Sequence, residues 1–338
     1  MHRIIVIGAG DMGRHHARAW KARGHIIAGI VDIDVTRAQG LAAEVECHET
    51  WTDYHQALEA LPTADIVDIC VPLSEHMPVT ILAAQMGKHI LCEKPLARSI
   101  NEADLMERAI TDNNVKFACA FQRNLSPGVE LLTKWMAEGM IGSPAIFNSD
   151  LLQEVRPKRF MHDAENNNGP VVDTCPHYFL LWETVFADQP ITIYAQGSVA
   201  ATNRLEISQF SQRAIDTASI IVKYEKGHVG SMTVSWALAQ DTVITGRPDR
   251  IVGPKGGAEG VNFHDFTWEG FNLFHESSCQ FVSIPKINVF ERQVDFFIEY
   301  VEGIRLKPPS DLYQARHLLR MSLAALESIK TGRVISLQ

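Results

Sequence analysis

The sequence predicts an α/β domain followed by an α+β domain. Three observations carry that reading. From Met1 to Gln122, short apolar runs alternate with helical patterns. After that point, strand-like runs follow one another with no regular helix between them. A glycine-spaced turn, Gly8-Ala9-Gly10-Asp11-Met12-Gly13, falls where the first strand pattern gives way to the first helix pattern. A chain of 338 residues also fits two domains at about 100–200 residues each. The boundaries are drawn at 1–122 and 123–338.

In the first domain Arg3–Ile7, Ile26–Val31, Ile66–Val71, His89–Cys92 and Lys116–Phe121 read as strands. Several are apolar without alternation, as strands covered on both faces are, and their spacing by helices makes the sheet parallel. Helices are expected at Met12–Arg23, Val35–Val45, Met77–Met86 and Asn101–Asp112, the last with Asn101 as its N-cap. In the second domain Val129, Leu132 and Met136 share a helical face that stops at Gly139. Strands are expected at Ala145–Leu152, Ile191–Val199, Ala218–Tyr224, Val229–Trp236, Arg250–Val252 and Gln280–Ile284, with Lys226-Gly227 as a hairpin turn. Strands in sequence make the second sheet mostly antiparallel. Phe179, Trp182 and Phe186 read as core positions of one helix. Two helices, Val289–Val301 and Leu312–Thr331, close the chain, the final one expected to pack back near the first domain. The asparagine-rich stretch Asp163–Gly169 reads as a mobile loop.

Composition narrows the function classes. Apolar residues make up 46% of the chain and charged residues 21%, which fits a globular protein with a real core. The net charge of −9 argues against nucleic acid, whose phosphates call for a basic surface. No apolar stretch reaches the ~18 residues of a membrane helix, and Met1–Gly8 lacks the pattern of a signal peptide. The six cysteines form no CxxC pair, so free cytosolic thiols are expected rather than disulfides or zinc. His15, His16 and His76 match no tetrahedral ligand spacing, so no metal is expected. A cytoplasmic enzyme with a small-molecule substrate is the resulting expectation.

The turn Gly8–Gly13 matches GxGxxG between a strand and a helix, the context that gives this motif meaning. Gly8 permits the tight turn, Gly10 admits a pyrophosphate to the backbone, and Gly13 lets helix and strand pack closely. The helix N-terminus offers amides to phosphate. These features make residues 1–122 a Rossmann dinucleotide-binding domain. Asp32 ends the second strand about 20 residues on, where a carboxylate accepts the ribose hydroxyls and repels a 2′-phosphate. NAD is therefore expected over NADP. The alternative for Asp32 is a turn aspartate in Val31-Asp32-Ile33-Asp34, with Asp34 also available as a helix cap.

Cys92-Glu93-Lys94-Pro95 adds a more specific pattern. Together with Gly8–Gly13, Val71-Pro72 followed by His76, Phe121-Gln122-Arg123, Gly169 with Asp173 and His177, and the tail Ser328–Arg333, it makes nearly the whole chain resemble the Gfo/Idh/MocA oxidoreductase family. The resemblance implies a Rossmann domain followed by a domain on an open, largely antiparallel sheet. It implies hydride transfer between a nicotinamide and a carbinol or carbonyl carbon of a sugar- or cyclitol-like polyol. It also places Gly8, Gly10, Asp11, Met12, Gly13, Asp32, Val71, Pro72, Leu73, His76, Glu93 and Lys94 at the cofactor, and Lys94, Asp173 and His177 at the reacting hydroxyl. Where the family often has asparagine, this chain has Leu73, which cannot supply that hydrogen bond.

These residue types suit the reaction. The cofactor takes the hydride, so the protein must supply an acid/base and fix the geometry. Lys94 sits beyond a strand at the carboxyl edge of the sheet, where open α/β proteins bind ligands. It can be a base near neutral pH once burial lowers its pKa, and a nearby Glu93 opposes that. Taken alone, Lys94 reads first as a solvated surface lysine, Asp173 as a helix cap and His177 as a core histidine. Four residues apart, with Pro176 between them, Asp173 and His177 come near one face of a helix that starts near Thr174. Arg123, Arg156, Lys158 and Arg159 are candidates for the substrate's remote end, with plain solvation as the alternative. A non-catalytic sensor on the same fold, or a reductase of an unrelated carbonyl compound, are the competing functions. The apolar runs Ile220-Ile221-Val222 and Met232-Thr233-Val234 predict a covered sheet face, and hence a homodimer or homotetramer.

Overall fold

A computed structural model describes residues 1–242 and 246–338. The chain forms two compact units, Met1–Gln122 with Asn288–Arg316, and Arg123–Ile287 with His317–Gln338.

The first unit runs β1 (Arg3–Ile7), α1 (Asp11–Ala22), β2 (Ile26–Val31), α2 (Val35–Glu44), β3 (Thr50–Trp51), α3 (Tyr54–Ala60), β4 (Ile66–Ile69), α4 (His76–Gln85), β5 (His89–Glu93), α5 (Ile100–Asp112) and β6 (Phe117–Ala120). Its six strands lie in the order β3-β2-β1-β4-β5-β6, and every pairing is parallel. The order reverses between β1 and β4, which opens a crevice at their carboxyl ends. The buried runs Ile4–Ile7 and Ile66–Ile69 explain why these strands show no alternation. β3 and α3 go beyond the sequence reading: a two-residue strand has no period to detect, and α3 is announced only by its cap Asp53, which accepts from His55 N and Gln56 N. The cap of α5 is Ser99 rather than Asn101. Ser99 accepts from Glu102 N while Glu102 reaches back to Arg98 N at 2.9 Å, so Ser99-x-x-Glu102 outcompetes the asparagine.

The sequence reading drew Asn288–Arg316 into the second domain, and the structure groups it with the first. Its helix α9 (Val289–Val301) packs along α1. Phe290 stacks on His15 at 4.8 Å and Phe297 meets Trp20 edge-on at 6.2 Å. The return to the first unit is thus made by α9 and by the opening turn of the final helix, whose Arg316 pairs with Asp104 at 2.7 Å.

The second unit contains α6 (Pro127–Ala137), β7 (Ile146–Glu154), α7 (Gly169–Asp173), α8 (Cys175–Phe186), β8 (Pro190–Ser198), β9 (Thr217–Tyr224), β10 (Val229–Leu238), β11 (Arg250–Gly253), β12 (Gly256–His264), β13 (Thr267–His275), β14 (Ser278–Ser283), most of α10 (Leu312–Thr331) and β15 (Ile335–Ser336). Its sheet has the order β14-β13-β12-β11-β7-β10-β9-β8-β15. Among the described residues β7–β10 is the one parallel pair in it. Lys226-Gly227 turns β9 into β10, with Gly227 at φ +86°. Phe179, Trp182 and Phe186 on α8 are buried as expected. Trp182 covers Gly230 of β10 so closely that a Cβ there would stand 2.2 Å from the indole.

Arg123 is a buried cation of this unit. Its guanidinium pairs with Asp249 at 2.6 Å and lies over Tyr178 and Phe263, 4.1 and 4.5 Å from the ring centroids. Removing one partner of a buried pair leaves an uncompensated charge. Asp249→Ala is therefore expected to lower the unfolding free energy by about 3–5 kcal/mol in urea titrations. An unchanged midpoint would show that the pair contributes nothing to stability.

Candidate active site

The cofactor cradle follows from close packing at β1, α1 and β4. Gly8 has φ +105°, and a Cβ on it would lie 2.3 Å from Cys70 O; a Cβ on Gly13 would lie 1.8 Å from Gly8 O. No other residue type fits either position. Gly10 is the N-cap of α1 and makes no side-chain cap, so the first-turn amides, with Asp11 and Met12 among them, carry the open positive end of the helix dipole. Asp32 ties the turn to β2: Oδ2 accepts from Ala9 N at 2.8 Å and Oδ1 from Asp34 N at 2.9 Å. Each oxygen keeps lone-pair capacity for a ribose hydroxyl. The cap of α2 is Asp34, which accepts from Thr36 N and Arg37 N, so the two aspartates divide the roles. An uncapped helix end, a cradle that excludes any Cβ and a half-buried carboxylate fit a dinucleotide.

The second wall lies beyond β4 and β5. Val71-Pro72 leads into a 3-10 turn, Leu73–Glu75. Leu73 is buried, so it packs as an apolar side chain where an amide could have reached a ligand. His76 is also buried and sits between this turn and the Lys94 turn, with Nδ1 2.9 Å from Pro95 O and Nε2 3.0 Å from Val71 O, one of which accepts from the single N–H of the neutral ring. Burial holds its pKa below the ordinary histidine value. Lys94 follows directly on β5, half-buried, and its peptide to Pro95 is cis.

In the second unit Asp173 is the last residue of α7, and Thr174 precedes α8 with Pro176 in its first turn. Asp173 is 8% exposed, and Asn167 Nδ2 donates to its Oδ2 at 3.4 Å. His177 is half-buried, and its N–H donates to Thr174 O at 3.1 Å. Two arginines expected to read the substrate are engaged elsewhere. Arg123 is committed to Asp249 within its aromatic cage, and Arg159 Nη1 donates to Val155 O and Arg156 O. Arg156 lies over Trp236 at 5.7 Å, and Nη1 donates to Gln153 Oε1 at 3.3 Å. Lys158 is exposed.

Sequence reasoning missed one group. Asp68, in the middle of apolar β4, is fully buried, with its oxygens 2.9 and 3.0 Å from His16 Nδ1. Trp20 Nε1 donates to Oδ2 at 2.6 Å. His16 Nε2 faces Glu93 Oε1 at 3.0 Å, and Glu93 Oε2 accepts from the Lys94 N–H at 3.1 Å. The signal was present in Ile66-Val67-Asp68-Ile69, since a charge inside a buried strand must have a partner.

Comparisons with known proteins agree with this fold. Residues 2–121 match the oxidoreductase family with an NAD-binding Rossmann fold, and residues 129–259 match the GFO/IDH/MocA C-terminal domain. The chain is 25% identical to the oxidoreductase YrbE of Bacillus subtilis, over 98% of this chain and 96% of that protein. It is 25% identical to myo-inositol 2-dehydrogenase of Thermotoga maritima, over 68% of this chain and 66% of that one. A solved structure of levoglucosan dehydrogenase with NADH shares the fold at TM-score 0.85 and 20% identity, covering 100% of this chain and 99% of that one. Among the described residues no helix is long and apolar enough to cross a membrane. With its glycine turn, Asp32 and the Glu-Lys-Pro turn all on the carboxyl edge of a parallel sheet, the chain belongs to the GFO/IDH/MocA family of NAD-binding oxidoreductases.

Proposed function

We propose that this NAD-dependent dehydrogenase oxidises a secondary hydroxyl of a sugar- or cyclitol-like polyol, with Lys94, Asp173 and His177 serving the hydroxyl proton. The observation that carries the reading is the placement of Lys94 on the carboxyl end of β5, one strand from the switch point where the glycine cradle lies. The relatives named for inositol and levoglucosan support the substrate class. When bound, NAD accepts the hydride. The remaining work belongs to the chain. The glycine turn and the α1 amides hold the pyrophosphate, and Asp32 accepts the ribose hydroxyls. The Val71–Leu73 turn and His76 wall the cofactor site, and Lys94 or His177 takes the proton. The buried Asp173 carboxylate orients a hydroxyl or holds the imidazole. Residues 123–338 would supply the substrate-binding and oligomerisation surfaces, Arg156 remaining the candidate for the remote end. A cytoplasmic location fits six free cysteines.

A positioned acid/base contributes ~10²–10⁴-fold. Lys94→Ala is expected to lose at least ~10²-fold in turnover while still binding NAD, and His177→Ala a similar or smaller factor. Asp173→Asn keeps the shape and separates orientation from charge. Combined variants should be non-additive, since residues acting as a unit fail together. Near wild-type turnover in Lys94→Ala, assayed by NADH absorbance on a polyol panel, removes the lysine from the mechanism.

Cofactor choice follows from Asp32. Wild type should bind NAD more tightly than NADP, and Asp32→Ala should narrow the gap in calorimetric titrations. Tighter binding of NADP by the wild type overturns the assignment.

The second sheet supports a homodimer or homotetramer. The strand register puts Ile146, Ile221, Val252, Phe274 and Phe281 on one face, and all five are exposed. Exposed apolar side chains gathered on one sheet face suit cover by another copy, since contiguous apolar patches are uncommon on monomers. Sedimentation at micromolar concentration is expected to show dimers or tetramers, and a purely monomeric profile contradicts this.

A further inference from the structure

Asp68, His16 and Glu93 form a buried chain of ionisable groups that the proposed chemistry does not use. The three are 0, 1 and 4% exposed. A carboxylate oxygen only accepts, whereas a neutral imidazole has a single N–H. His16 meets a carboxylate at both ring nitrogens, so both contacts are satisfied when the ring is an imidazolium. The groups around the ring are Asp68 and Cys70 at β4, Glu93 on β5, Trp20 on its own helix and the Phe290 ring of α9 at 5.6 Å. None of these is a cation, so an imidazolium at His16 balances the acids that its ring touches. Burial by itself would lower the His16 pKa. The charge of Asp68 and its hydrogen bond, with a contribution from Cys70, outweigh burial and hold the pKa well above the ordinary value. A metal is the other conceivable occupant, since one ligand atom each of His16, Asp68 and Cys70 lie within 4.8 Å of one another. Burial pushes the Cys70 thiol up, away from the thiolate a metal would need.

We propose that His16 is a positioning residue for Lys94. Locked between Asp68 and Glu93, it holds the Glu93 carboxylate on the Lys94 N–H and so fixes the backbone from which the lysine side chain extends. It also occupies the charge of the acid that neighbours the lysine in sequence, which would otherwise oppose lowering of the lysine pKa. This rests on the reading of Lys94 as an acid/base.

The test uses the full-length enzyme with NAD, and the variants His16→Gln and Glu93→Gln. A small displacement of a catalytic group can cost ~10²-fold. Both variants are expected to lose turnover on about that scale, and His16→Gln to change NAD affinity by less than about threefold. Ring-¹⁵N histidine labelling reads the clamp directly. In the wild type one imidazolium should persist well above the ordinary histidine value of ~6.5. That signal should be missing from His16→Gln and should titrate at lower pH in Glu93→Gln. If His16→Gln does not fold, the wild type and Glu93→Gln decide the matter. A His16 ring that titrates at or below the ordinary histidine value, or one stoichiometric metal ion on elemental analysis, overturns the proposal. So does a folded His16→Gln with normal turnover beside an inactive Lys94→Ala. Normal turnover in Lys94→Ala is a different result: it fells the lysine reading itself, and the positioning role with it.

Discussion

The first unit depends on two missing side chains. The Gly8 carbonyl lies where a Cβ of Gly13 would be, and Gly8 itself presses on the backbone of Cys70. That contact seats the N-terminus of α1 on the carboxyl edge of β1 and β4. Once α1 is seated, its other end of travel is set as well. His16 and Trp20, one and two turns along, reach Asp68 on β4, and the outer face of the helix receives Phe290 and Phe297 of α9. A single close approach therefore supports the anion cradle, the buried ion chain and the docking of a segment from far along the chain.

Strong periodic signals were legible to within a residue or two. Arg3–Ile7, Ile26–Val31, Val289–Val301 and Leu312–Thr331 form the elements their patterns predict. β12 and β13 were not legible, and the reason is steric. Gly260 and Gly270 weaken the strand pattern of these segments, yet each leaves room for an aromatic ring. A Cβ on Gly260 would stand 2.6 Å from Trp268 Cδ1, and one on Gly270 2.5 Å from Phe281. Glycine inside a strand marks such an approach, but only the partner strand shows what approaches.

The same limit applies to the candidate site residues. Gly8, Gly13 and Asp32 could be read from spacing because the motif carries its own geometry. Lys94, Asp173 and His177 needed the family resemblance, since a lysine after a strand and an aspartate before a helix have ordinary uses. Arg123 shows how charge type misleads: its sequence neighbourhood suggested an arm toward a ligand, and the fold encloses it with Asp249, Tyr178 and Phe263. Asp68 shows the reverse, an acidic residue in an apolar run that announced a partner without naming it.

The two ends of the nine-stranded sheet are finished differently. One closes with β15, two residues long, too short to template another strand. The other ends on β14, Ser278-Cys279-Gln280-Phe281-Val282-Ser283, which carries no charge, no proline and an exposed Phe281. Natural edges are usually blunted by lysine, proline or a bulge. A backbone edge of this kind is a template for another strand, with the exposed thiol of Cys279 beside it. A single lysine among these six residues would blunt that rim without touching either core.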